Sequence, residues 1–320
     1  MAVPSLLARI GIELPVIQAG MGGGLAGPEL AAAVSEAGGL GTIGMLGPAP
    51  LGVELAAARR LTAKPIAVNL LLPFARSRDW EAAQAADAVV TFWGVPERRV
   101  PGVWIHQCGS AEEALAAREA GADAVIAQGS EAGGHVRGTM GAQELLERLR
   151  AVLGDLPVLS AGGVATAEDL RVRLDAGADA VVAGTRFLMS AESGAHPDYK
   201  RRLLDARQTL LTELFGTGWP APHRVIPNAA TRRWLRDDPR GPGWLRAANR
   251  ISAPVLSRVP PGVQSRLAAS QTPRMPMFGP AAATAGGDNL LEAGPLYAGE
   301  CVARIDDIRP AAELVRDLAG

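Results

Sequence analysis

One stretch of the chain, QGSEAGGHVRGT at 128–139, sets a single imidazole, His135, among Gly129, Gly133, Gly134 and Gly138, with Glu131 and Arg137 close by. Imidazole titrates near neutrality, so it can take a proton, give one, or stand as a cation beside an anion. Glycine allows close backbone approach and conformations closed to other residues. A packed core would not need these glycines, and a disordered linker would have no use for the histidine. The combination suits a loop in which the backbone must come close to something beside an acid–base group.

Two further glycine sites could hold a phosphate. SAGGVAT (160–166) and AGTRF (183–187) each close an apolar run. Glycine lets peptide N–H groups approach an anion, and a following helix N-terminus adds favourable partial charge. Glycines after strands also simply make turns; it is the pairing of two such loops that favours phosphate. GMGGGLAG (20–27) resembles a dinucleotide fingerprint only superficially, because no acidic residue ends the next strand. No HExxH and no Cys–His cluster is present, so no catalytic metal is expected. His106 ends a strand and reads as a buried structural residue. His196 and His223 read as surface or helix-start residues, Glu131 as a cap within its loop, and Trp219, Trp234 and Trp244 as core of the C-terminal part.

The elements that must position these residues follow from a repeat. EAGADAVIAQG (119–129) is echoed by DAGADAVVAG (175–184), and more weakly by EAGGLGTIG (36–44) and QAADAVVTFWG (84–94). Each reads as a helix end, a turn and a short buried strand. Candidate strands are 15–20, 39–44, 65–70, 87–92, 102–107, 123–128, 157–162 and 179–184. Helical patterns fall at 28–37, 53–62, 110–120, 141–153 and 166–176, with Ser110 and Thr166 as N-caps; WGVPERRVP (93–101) holds little helix. This alternation predicts a (β/α)8 TIM barrel, with a doubly wound open sheet as the structural alternative. In a barrel the site lies at the C-terminal strand ends, which is where Asn69, Gln107, Gln128 and the glycine loops fall.

From about residue 190 the texture changes. Residues 196–215 read as one helix, followed by Pro- and Trp-rich pieces, and 305–319 is amphipathic. The expected organisation is a barrel from 1–190 plus 296–320, with 191–295 a mostly helical substrate or lid domain inserted after strand eight.

The chain has 320 residues and a net charge of −1, which gives no electrostatic footprint for nucleic acid or an anionic membrane. Its apolar runs break before the roughly 18 residues a membrane span needs. Cys108 and Cys301 are the only cysteines, which suits a reducing compartment, and the N-terminus has no basic run ahead of its apolar residues. A cytoplasmic location is expected.

On these motifs the chain resembles the nitronate monooxygenase family, FMN-dependent TIM barrels formerly called 2-nitropropane dioxygenases. The matching pieces are PVIQAGMGGG (15–24), IHQCGSAEEA (105–114), AGADAVIAQGSEAGGH (120–135), PVLSAGGVAT (157–166), AGADAVVAGTRFLMSAES (176–193) and PLYAGE (295–300). FMN-type enoyl-acyl-carrier-protein reductases share much of this pattern. The resemblance implies that His135 faces the flavin ring and acts on substrate, as proton acceptor for a nitroalkane or orienting group for its anion. It implies that Gly20 and Met21 line the flavin. Asn69, Gln107 and Gln128 would bond its polar edge or ribityl chain, and Gly133 and Gly134 would let the backbone lie close. Ala161, Gly162, Gly163, Gly184 and Thr185 would hold the phosphate, and Tyr297 would approach from the C-terminal segment. Some relatives carry lysine where this chain has Gln107, and 73–84 and 191–295 match less clearly, so these regions would shape the substrate pocket.

The implied activity is oxidation of alkyl nitronates or nitroalkanes with O2 to carbonyl compounds and nitrite. Two readings compete with it: an FMN-dependent NAD(P)H reductase acting on a quinone or enoyl thioester, and a flavin- or phosphate-binding barrel without turnover. The expected partners are a small anionic substrate and O2, with a homodimer as the candidate assembly.

Overall fold

The computed structural model describes residues 5–95, 100, 102–256, 270–275, 279–285 and 287–320. Eight parallel strands form one sheet in the order β1-β9-β8-β6-β5-β4-β3-β2. They are β1 Val16–Gln18, β2 Gly41–Ile43, β3 Ile66–Leu71, β4 Ala88–Phe92, β5 Val103–Cys108, β6 Ala124–Gln128, β8 Val158–Ala161 and β9 Ala180–Ala183. The two edges meet. Ile17 bridges Leu40, Gln18 N–H donates to Leu40 O at 2.9 Å, and Leu40 N–H donates to Val16 O at 3.0 Å. The sheet is therefore a closed (β/α)8 barrel, and the open-sheet alternative falls.

Side chains alternate across the barrel wall, as the period of two requires. Ala67, Val90, Ile105, Ile126, Leu159 and Val182 form an inner cluster with Leu6 and Ile10 of the N-terminal helix Leu6–Ile10. Val68, Val89, Trp104, Val125 and Val158 face the surrounding helices instead. Continuing the inner series by two residues gives Asn69, Gln107 and Gln128. Their place inside the barrel mouth is thus a matter of parity.

The Asp of each repeat unit has a structural task at the opposite end. Asp87, Asp123 and Asp179 each sit one residue before a strand and accept an N–H from the first or second residue of the preceding one: Ile66 N at 2.7 Å, Trp104 N at 2.8 Å and Val158 N at 2.8 Å. Each is also paired with an arginine, Arg59, Arg9 and Arg150 respectively. The recurring Ala-Asp-Ala-Val is a clamp that sets the register of neighbouring strands.

Beyond residue 190 the expected helix over 196–215 stops early. It spans Pro197–Asp205, and Ala206 is extended, with φ −72° and ψ 132°. The Arg207 guanidinium donates to the carbonyls of Leu204 and Ala206, which caps the helix end. Short apolar runs do not separate helix from strand by period alone, and Leu210–Thr212 is strand β10. It pairs antiparallel with β11, His223–Val225, and β11 pairs in turn with the two-residue strand β7, Gly134–His135. The region also contributes helices Ala229–Trp234, Gly243–Leu256 and Leu290–Ala293. Part of 93–101 and of 251–286 lies outside the described residues. The C-terminal helix Ala311–Ala319 buries Leu314, Val315 and Leu318 against the helix Pro28–Glu36 and β1. Among the described residues no helix is long and apolar enough to cross a membrane.

The clamp is testable. Asp123→Ala leaves the Trp104 N–H without its acceptor and should cost about 1–3 kcal/mol, read as a fall in the urea midpoint at unchanged slope. Asp123→Asn keeps an acceptor oxygen and should recover most of the loss.

Candidate active site

A cavity of about 1860 Å³ opens at the C-terminal ends of the strands. The residues that the resemblance assigned to the flavin and substrate line it. Gly20 and Met21 follow β1, Asn69 lies on β3, Gln107 on β5 and Gln128 ends β6. Gly133, Gly134 and His135 follow, then Ala161, Gly162 and Gly163 after β8, Gly184 and Thr185 after β9, and Tyr297 from the C-terminal segment.

His135 is fixed from several sides. Its backbone pairs with His223 of β11, its carbonyl accepts from Gln128 Nε2 at 2.9 Å, and Val136 N–H donates to Pro222 O at 2.9 Å. The imidazole stacks on Trp219, with centroids 3.6 Å apart and planes 20° from parallel. The rings of His223 and Tyr297 stand 5.3 and 5.6 Å away. Nε2 is buried and has no hydrogen-bond partner among the described residues. Burial pushes the pKa well below the usual 6.5, and neighbouring His223 adds to the effect. The ring is therefore neutral near neutrality.

Gln128 differs from its expected role. Besides holding the His135 carbonyl, its Oε1 accepts from Arg137 N–H at 3.3 Å, so both ends of the amide are committed to the loop. Asn69 and Gln107 extend from the inner wall into the cavity lining. The reason for Gly133 also differs. A Cβ there would sit 2.5 Å from Gly299 N and 2.7 Å from Ala298 C, so this glycine admits the C-terminal segment of the same chain. Gly134 is needed for its φ of 74°.

The two glycine loops lie side by side, as β8 and β9 are paired. Gly162 and Gly163 have φ of 112° and 77°, a turn that other residues enter only with strain. Their carbonyls accept from Arg173 and Arg304, at 3.5 and 2.5 Å. Thr185 begins the short helix Thr185–Leu188, and its Oγ1 accepts from Gly299 N–H at 2.8 Å. The C-terminal segment is thus tied to both Thr185 and the His135 loop. Tyr297 bridges Val225, its carbonyl accepts from Tyr199 OH at 2.6 Å, and its own hydroxyl donates to Pro280 O at 2.8 Å.

The remaining histidines divide. His106 is buried and bonded through Nδ1 to Thr91 Oγ1 at 2.8 Å, with burial lowering its pKa to about 4. His196 starts a helix, accepting from Asp198 N–H. His223 is not on the surface: it is fully buried, with Nδ1 against Ala221 O at 2.8 Å and Nε2 accepting from Phe215 N–H at 3.3 Å. A strand hidden inside an expected helix region concealed it. Trp219 was likewise read as core; it is buried, yet it lines the cavity against His135. Glu131 caps the helix Ala142–Leu153 by accepting from Ala142 N–H at 3.0 Å, as expected of a loop cap.

The family model for nitronate monooxygenase matches residues 4–104 and 95–320. The nitronate monooxygenase of Pseudomonas aeruginosa is 35% identical over 63% of this chain and 74% of its own length. A Mycobacterium tuberculosis protein, (3aS,4S,5R,7aS)-5-hydroxy-7a-methyl-1-oxo-octahydro-1H-indene-4-carboxyl-CoA dehydrogenase, is 31% identical over 98% of this chain and 94% of its own. Among solved structures, FabK from Thermotoga maritima superposes with a TM-score of 0.75 at 30% identity, covering 99% of this chain and 95% of that one. A nitroalkane oxidase from Streptomyces ansochromogenes gives 0.74 at 29%, covering 98% and 96%.

Two outcomes follow from this geometry. Gly133→Ala forces a Cβ into the backbone of 298–299 and should cost about 1–3 kcal/mol, seen as a lowered thermal midpoint. The second concerns acid. His106 and His223 have folded pKa values of about 4 against an ordinary 6.5. The unfolded chain binds their protons first, so their contribution is complete above about pH 6.5 and is lost as pH falls through about 4. The urea midpoint should hold steady above about pH 7 and drop between about pH 6 and 4; a midpoint flat to about pH 4 would contradict the neutral assignments.

Proposed function

The chain belongs to the nitronate monooxygenase family and is a flavin-dependent oxidoreductase; from that premise we propose that its cofactor is FMN and its substrate a nitronate, oxidised with O2 to a carbonyl compound and nitrite. The observation that carries the reading is a single cavity with a left-handed diglycine turn at one place and a neutral, unpartnered imidazole nitrogen at another.

The residues fit FMN. The turn at Gly162–Gly163 and the start of the helix at Thr185 offer peptide N–H groups for a phosphate. Asn69 and Gln107 supply hydrogen-bonding amides along the inner wall, and Gly20 and Met21 supply an apolar face. Bound there, FMN would supply the electron transfer that no side chain can. The protein's own part is positioning and proton handling. A neutral His135 can accept a proton from the carbon next to the nitro group of a nitroalkane, or hydrogen-bond an oxygen of the nitronate already formed. An unpaired buried polar atom costs about 1–3 kcal/mol, and a substrate bonded to Nε2 removes that cost.

A second reading has its own support. The CoA-thioester dehydrogenase relative spans nearly the whole chain, whereas the Pseudomonas nitronate monooxygenase aligns with under two thirds of it. Exposed Arg76 and Arg78 also line the cavity, where they could meet phosphates of a large thioester or of NAD(P)H.

The two are separated by anaerobic mixing of the FMN-loaded protein with a nitronate, with NADH and with an acyl-CoA. Bleaching of the yellow colour by the nitronate alone is expected. Bleaching by NADH or the thioester, with the nitronate inert, would give the second reading instead. His135→Ala should keep the colour and lose turnover by about 10²–10⁴-fold; full turnover would remove His135 from the chemistry.

A further inference from the structure

Trp219 comes from the chain beyond β9, yet its ring is stacked on that of His135. It sits in Gly-Thr-Gly-Trp-Pro-Ala-Pro (216–222), a tight segment in which Gly218 has φ 82°. Trp219 N–H donates to Gly216 O at 3.1 Å, and Ala221 N–H donates to Trp219 O at 2.8 Å. Pro222 O then receives Val136 N–H, which locks the segment to the residue after His135. The indole is buttressed edge-on by Phe74 and Trp93, each with its centroid 5.2 Å away. Trp93 is itself held at φ 72°, a conformation bulky residues avoid.

We propose that Trp219 is a positioning residue for His135: its indole face covers the imidazole, shuts water away from Nε2 and fixes the ring plane, so that the ring meets substrate as a neutral proton acceptor. This rests on the reading of His135 as the group that acts on substrate.

Two effects of the indole oppose each other. An aromatic face attracts a cation and would favour imidazolium. Covering the ring removes it from water and disfavours imidazolium. The buried position of the ring favours the neutral form: burial, with His223 beside it, holds the pKa of His135 well below the ordinary value. The other groups that face the ring do not supply a counter-charge. His223 is neutral, with both nitrogens engaged. Tyr297 keeps its proton, because burial raises its pKa, and donates it to Pro280 O. Arg137 lies over Trp93, 5.0 Å from the ring centre, and is paired with Glu113. Among the described residues no carboxylate hydrogen-bonds to His135 Nε2.

The test reads the proton directly. FMN-saturated protein carrying ¹⁵N-labelled histidine is titrated by NMR as wild type, Trp219→Phe and Trp219→Ala, with the His135 signals identified by their loss in His135→Asn. Wild type and Trp219→Phe should show no His135 titration between about pH 8 and 5. Trp219→Ala should titrate near the ordinary 6.5 or so, and the acid limb of its kcat/KM profile should move up with it. A His135 that stays silent in Trp219→Ala overturns the proposal. Should that variant fail to fold, Phe74→Ala, which removes the buttress but keeps the indole, takes its place: a smaller shift in the same direction supports the proposal, and an unmoved His135 overturns it. The titration needs no turnover, so a wild-type protein inert toward nitronates would sink the functional reading and leave this result standing.

Discussion

The cavity depends on a strand of two residues. Gly134–His135 pairs with β11, and a strand that short has no stability of its own. It is held because everything around it contributes a bond. Gln128 grips it from the end of β6, and Arg224 of β11 reaches back to Ser130 O at 2.7 Å. The C-terminal segment closes the third side: Glu300 N–H donates to Glu131 O, and Ala298 N–H to Arg224 O. His135 is therefore placed jointly by the barrel, by strand β11 and by the segment at 298–300. Loss of any one partner displaces the imidazole without touching it.

How much of this was legible follows from what carries the signal. The eight strands announce themselves because each is buried on both faces and preceded by a turn, and in three units an aspartate has to catch a neighbouring N–H. Asn69, Gln107 and Gln128 were legible as residues of the barrel mouth because they lie near the C-terminal ends of those strands, and the parity of the strand points them inward. The barrel rule and local pattern suffice for that much.

What was not legible depends on contacts between distant segments. The helix expected over 196–215 hid β10, and with it the partner strand that buries His223. Leu210 to Phe215 is apolar enough to serve as either element, and only the long-range pairing to Val225 decides between them. Gly133 was read as making room for a bound ring, whereas it makes room for Ala298 and Gly299. No local pattern distinguishes a glycine that faces a ligand from one that faces its own chain. For Trp219 a signal did exist. A tryptophan fixed between a glycine turn and two prolines is more constrained than a core residue needs to be, and such constraint is characteristic of a side chain that must be presented at one angle.

The charge on His135 decides what kind of assistance the site can give. An imidazolium would pair with a nitronate and hold it by charge, but burial and the neighbouring His223 oppose that form. The cations that line the cavity, Arg76 and Arg78, are exposed and lie at the start of the helix Ser77–Ala83 that follows β3. On the reading proposed above, attraction of an anion and handling of a proton would fall to different parts of the cavity: guanidinium groups at its exposed side, and a neutral ring at its buried side. Such a division suits a substrate that enters charged and reacts in a dry environment, because a cation beside the reacting carbon would stabilise the bound anion as well as the transition state and gain nothing in rate.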